Sequence, residues 1–199
     1  LNLIGHIHML EALEQSNKLK PNMTRIIYSG SEAARGIGFM GMKAPHLENY
    51  NVQELKDLVS GKAYNKNYDK QAAYGQIKGI AALYFAEYAR LHPEYYVATV
   101  SPGATTGTSF KTAKALSTKE KVMFTIIMPV FEFFGVFHAL SVGAQRYVDA
   151  VTNSNGFNFP SGKFLASKNG VSGPLISQEY VKHGQAYGDE NAQIVTYRA

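Results

Sequence analysis

Apolar residues at Leu3, Ile7, Leu10 and Leu13 recur at helical spacing and predict a helix over roughly residues 3–16. Pro21 and Asn22 punctuate it. "TRIIYSGS" reads as a short apolar strand running into small residues, and the Gly-rich "EAARGIGFMGMKAPHLENY" reads as loop. "NVQELKDLVSG" fits a short surface helix. In "KQAAYGQIKGIAALYFAEYARLH", Ile77, Ile80, Ala81, Tyr84, Tyr88 and Leu91 form one apolar stripe, so a long helix is expected up to His92-Pro93. "YYVATVSPGATTG" is a second strand emptying into a Pro-Gly loop, and "FNFPSGKFLAS" a third strand. Strands alternating with helices predict an α/β fold with a parallel sheet, in one domain over 1–199.

One stretch breaks this rhythm. "VMFTIIMPVFEFFGVFHAL", residues 122–140, has about the length of a membrane span. It also holds Pro129, Glu132, Gly135 and His138. It therefore reads as a buried or substrate-covering helical segment, kinked at Pro129. A peripheral membrane contact through 122–140 stays open beside that reading.

Composition narrows the class. A chain of 199 residues can bury a sizeable core. It has no cysteine, which excludes disulfides and thiolate zinc sites and fits a cytoplasmic location. The net charge of +5 is spread along the chain, without basic runs interleaved with aromatics, so no nucleic-acid partner is expected. The first residues show no initiator Met and no signal peptide, and they read as the start of a helix inside a larger protein. His6 and His8 diverge on a helix, and no histidine cluster has ligand spacing, so no metal site is expected. No G-x-S-x-G elbow supports a hydrolase.

The candidate chemistry begins at Tyr74 and Lys78, one helical turn apart. A nearby ammonium favours the phenolate form, and a phenol so tuned serves as general acid or base near neutral pH. Alone, such a pair arises by chance in many helices. Its setting gives it weight. Upstream, a strand ends in Ser29, Gly30 and Ser31, where open α/β sheets bind ligands. Downstream, another strand ends in Pro102, Gly103 and several threonines.

This order, strand-Ser, helix "YGQIK", strand "SPGATTGT", resembles the short-chain dehydrogenase/reductase family, as do "NLIG" at Asn2–Gly5 and the late "SGKFLASKNGVSGPLISQE". The resemblance spans nearly the whole chain. It implies a doubly wound, Rossmann-like parallel sheet, of which this chain would be the C-terminal portion. It also implies an NAD- or NADP-dependent oxidoreductase that interconverts a carbonyl and an alcohol. By the same resemblance, Tyr74 exchanges the proton and Lys78 tunes it and bonds the nicotinamide ribose. Ser31, with Ser29 as the alternative, bonds the substrate oxygen, and Asn2 holds a relay water. Pro102 and Gly103 pack near the nicotinamide, with Thr106 or Thr108 on its carboxamide, because the family's usual threonine position is Gly107 here. A small-molecule carbonyl or alcohol substrate and a homodimer or homotetramer follow as expected partners.

Two departures shape the expectation. The long insert between Ser31 and Tyr74 resembles loops of members that act on bulky apolar substrates, with a flap near 108–140. No Gly-rich phosphate loop follows a first strand, so the 199 residues alone are expected to bind cofactor poorly. A catalytically silent binding or scaffold protein is the alternative from another class.

Overall fold

The computed structural model describes residues 3–38, 42–45, 51–64, 69–105 and 136–199. Asn2, Thr106, Thr108 and most of the expected flap lie outside the described residues. The chain forms a mixed α/β fold around a four-stranded sheet, β1 (Arg25–Ser29), β2 (Tyr96–Val100), β3 (Lys163–Asn169) and β4 (Ser172–Ser177), lying side by side in chain order. β1 pairs with β2 in parallel from Arg25↔Tyr96 to Ser29↔Val100, and β2 pairs with β3 in parallel. β4 departs from the expected parallel sheet. It turns back at Gly170, where φ is +58°, and pairs antiparallel with β3. A two-residue return of this kind reaches only an antiparallel neighbour.

Five helices accompany the sheet among the described residues: α1 (Ile4–Gln15), α2 (Val52–Val59), α3 (Lys70–Leu91), α4 (Leu140–Thr152) and α5 (Glu190–Arg198). Asp69 starts α3 by accepting from the backbone N–H groups of Gln71 and Ala72 at 2.9 and 3.2 Å. Pro93 ends it, since the residue before a proline is pushed out of the helical region, and His92 has ψ of +66°. α2 opens with a reciprocal cap between Asn51 and Glu54.

Strand alternation divides the core into two layers. Ile26, Tyr28, Val97, Phe164 and Ala166 face α3, packing with Ile80, Ala81 and Phe85. Ile27, Ala98, Val100 and Leu165 face the other way, toward Ala150 of α4. Helices therefore cover both sheet faces, and the carboxyl ends of the three parallel strands share one edge.

The expected loop after Ser31 begins instead as a 3-10 turn, Glu32–Arg35, whose Glu32, Ala33 and Ala34 are buried. The third strand starts at Lys163, so "FNFPSG" precedes it rather than forming part of it. No helix among the described residues is long and apolar enough to cross a membrane.

Candidate functional site

Three chain segments meet at the carboxyl edge of the sheet. The first follows β1. Ser29 is its last residue, and Ser31 caps the 3-10 turn, its Oγ accepting from the Ala33 N–H at 3.2 Å. The second is α3. A Cβ on Gly75 would lie 2.6 Å from the Ala33 carbonyl oxygen, so the helix passes against this turn as closely as a backbone can. That approach brings the neighbouring Tyr74 to the Ser31 segment.

Lys78 reaches further. Its Nζ donates to the Ser29 carbonyl at 2.7 Å and sits 5.0 Å from the centre of the Tyr28 ring and 6.0 Å from that of Tyr74. Burial lowers the Lys78 pKa. Tyr74 itself is 42% exposed, so its ring opens to solvent while its partner is sheltered. Beneath them Tyr28 stacks on Phe85, with ring centres 4.7 Å apart. Burial, with the neighbouring Tyr74 second, raises the Tyr28 pKa to about 12. Tyr28 is thus a packing residue that stays neutral, and the solvent-facing phenol of the pair is Tyr74.

From the opposite sheet face comes a residue that the sequence reading did not single out. Tyr147 of α4 hydrogen-bonds Ser29 Oγ at 2.8 Å. Burial raises its pKa, and the Ser29 bond works against that rise. Ser29 is therefore held twice, its carbonyl by Lys78 and its hydroxyl by Tyr147. Ser31 spends its oxygen on the cap, which leaves its O–H free to donate.

The third segment is the Pro-Gly loop after β2. Gly103 has φ of +77°, and a Cβ there would come 2.6 Å from the His138 ring and 2.9 Å from the Val171 carbonyl. His138 Nε2 lies 2.7 Å from the Pro102 carbonyl, and the Ala104 N–H donates to Val171 at 2.7 Å. The loop is thereby tied to the end of the apolar 122–140 stretch and to the β3–β4 turn.

A buried polar cluster holds these segments in register. Glu32, 3% exposed, accepts from the Ser101 hydroxyl, from Ser167 N at 3.1 Å and from Ser167 Oγ at 2.8 Å. Arg146 of α4 lies 3.7 Å from the same carboxylate and donates to the carbonyls of Ser101 at 3.0 Å and Gly173 at 2.6 Å. Burial lowers the Arg146 pKa, and Glu32 opposes that shift. One carboxylate thus joins the ends of β1, β2 and β3 to α4. The only sequence signal for it was a glutamate directly after Ser31.

The arrangement brings together Tyr74, Lys78, Ser29 and Ser31 at one end of β1, with Pro102 and Gly103 following the adjacent β2. The expected roles of Asn2, Thr106 and Thr108 fall outside the described residues. Among the described residues no group of three or more His, Asp or Glu side chains is placed to hold a metal ion.

No model of a known protein family matches the chain, and no curated protein does. Among solved structures, the chain is similar to an uncharacterized protein from Mycobacterium paratuberculosis, at 15% identity and a TM-score of 0.47 over 88% of this chain. The match takes in 50% of that protein, so the chain spans about half the length of this structural neighbour.

Proposed function

We propose that the chain carries the catalytic groups of an NAD- or NADP-dependent oxidoreductase of the short-chain dehydrogenase/reductase type, on a Rossmann-like sheet, interconverting a carbonyl and an alcohol. The observation that supports this most is the sheltered Lys78 ammonium at the carboxyl end of β1, one turn from the exposed Tyr74. In the reducing direction, the Tyr74 hydroxyl gives its proton to the carbonyl oxygen. The Lys78 charge stabilises the phenolate left behind. The Ser31 O–H donates to the same oxygen as negative charge grows on it. In the oxidising direction, the phenolate takes the proton back. A nicotinamide held beside Tyr74 and Lys78 would supply or accept the hydride at the carbonyl carbon.

The residues fit such a cofactor at one end. Tyr74 and Lys78 would hold the ribose, and Pro102 and Gly103 would border the nicotinamide on the side that His138 and Val171 do not fill. At the diphosphate end, no Gly-rich turn joins a strand to a helix start among the described residues. A silent scaffold remains the second reading, since Lys78 already holds a backbone carbonyl.

Steady-state turnover of the natively produced protein against a panel of lipophilic carbonyls separates the two. With the oxidoreductase reading, Tyr74→Phe abolishes oxidation of the reduced nicotinamide, while Lys78 retains most of the cofactor binding. An inert wild type with the same panel and both cofactors supports the scaffold.

A further inference from the structure

A second opening lies on the same edge of the sheet, beyond Ser31. It is a cavity of about 670 Å³, within the range of small-molecule sites. Its lining combines Arg35, Lys43, Lys182 and His183 with the apolar Ile37 and Met42.

The cavity is built rather than incidental. Ile37 and Met42 exchange backbone hydrogen bonds at 2.9 and 3.1 Å, forming one wall. That wall is pinned at Gly36, where φ is +79° and a Cβ would lie 2.5 Å from the Ala44 nitrogen. Arg35 ends the 3-10 turn and donates to the carbonyls of Ser167, at 3.0 Å, and Gly170. Carbonyls orient a guanidinium without neutralising it, and the nearby Glu32 carboxylate, which acts on Arg35 through space, is hydrogen-bonded to Ser101 and Ser167. Among the described residues, Arg35, Lys43, Lys182 and His183 form no ion pair with a carboxylate. The two acids of the adjoining cavity are engaged elsewhere: Glu179 with Lys163 at 2.8 Å, and Asp189 at the start of α5. His183 is held at φ of +64°, a conformation uncommon outside Gly and Asn.

Two lining residues are linked to the site above through the chain. Arg35 is four residues beyond Ser31, and the Gly170 that it binds precedes Val171, which holds the Pro-Gly loop through Ala104. We propose that this cleft receives a carboxylate at the far end of the substrate, which is then an amphipathic keto or hydroxy acid whose apolar stem lies along Ile37 and Met42. The inference rests on the oxidoreductase reading for the word substrate, but the cleft's preference for an anion can be tested without turnover.

The test titrates dodecanoate and its methyl ester into the full chain, following the His183 ring by proton NMR, without cofactor. Dodecanoate is expected to bind at least about tenfold tighter than the ester, a difference that paired cationic contacts can supply. Lys43→Gln/Lys182→Gln, both exposed positions, should erase that difference. Lys18→Gln/Lys20→Gln, exposed lysines after α1, should preserve it. Equal binding of acid and ester overturns the proposal, as does a preference that survives the first pair or is lost in the second. Acid-selective binding with no turnover of any carbonyl would sink the oxidoreductase reading and leave the cleft standing. Turnover of neutral carbonyls with no acid preference would do the reverse.

Discussion

Replacing Glu32 with alanine should weaken the fold far more than a loop residue ordinarily can. The carboxylate accepts three hydrogen bonds, from Ser101 Oγ, Ser167 N and Ser167 Oγ, and faces the Arg146 guanidinium at 3.7 Å. Both members of the pair are almost fully buried, with side chains 4% and 7% exposed, so solvent screens them little. Removing one partner of a buried pair costs about 3–5 kcal/mol, because the remaining charge is left unpaired. The hydrogen bonds belong to the same cluster and do not add separately. In a domain of this size the loss lowers the melting temperature by roughly 6–20 °C. Urea unfolding should show a shifted midpoint with an unchanged slope. Arg146→Met alone should cost a similar amount, and the double variant less than the sum of the two. A loss below about 1 kcal/mol for Glu32→Ala, or strict additivity, would refute the idea that this carboxylate joins the strand ends.

Two further predictions concern the residues around Tyr74. Gly75→Ala puts a Cβ 2.6 Å from the Ala33 carbonyl oxygen, backbone that cannot swing aside, so α3 must shift. Thermal melts should show a loss of about 1–3 kcal/mol, although alanine is the better helix former, and a neutral or stabilising result would contradict the close approach. Tyr28 has its pKa raised to about 12 by burial, against about 10 when unfolded. A group whose folded pKa is raised stabilises fully below its unfolded pKa and loses that contribution as pH climbs through its folded one. Stability should therefore fall between about pH 10 and pH 12, and Tyr28→Phe should reduce that fall; identical pH profiles for the two proteins would count against it.

The sequence pattern made some of this legible and hid the rest for identifiable reasons. β1, β2 and α3 stood out because their apolar residues follow the period of their element and because Pro93 marks the end of α3, whereas its Asp69 cap came only with the structure. β4 was missed because "SGPLIS" carries a glycine and a proline. An edge strand tolerates both, and β4 lies at the edge. α5, "ENAQIVTYR", has too weak an apolar pattern, and its start is set by the Asp189 cap. α4 merged in sequence with the apolar run before it. At the site, Tyr74, Lys78 and the Pro-Gly loop were recognisable from local spacing. The Glu32–Arg146 pair and the Ser29–Tyr147 bond were not, because each joins residues that only the fold brings together. Ser31 was expected to bond the substrate oxygen, and its own oxygen also caps the turn after β1.

The most direct test of the central claim follows the hydride itself. The natively produced protein is incubated with a lipophilic ketone and reduced nicotinamide cofactor carrying deuterium at the transferable position, and the product alcohol is weighed by mass spectrometry. The account predicts deuterium on the carbinol carbon with the wild type and none with Tyr74→Phe. No labelled alcohol from the wild type with either cofactor, or undiminished labelling with Tyr74→Phe, would contradict it.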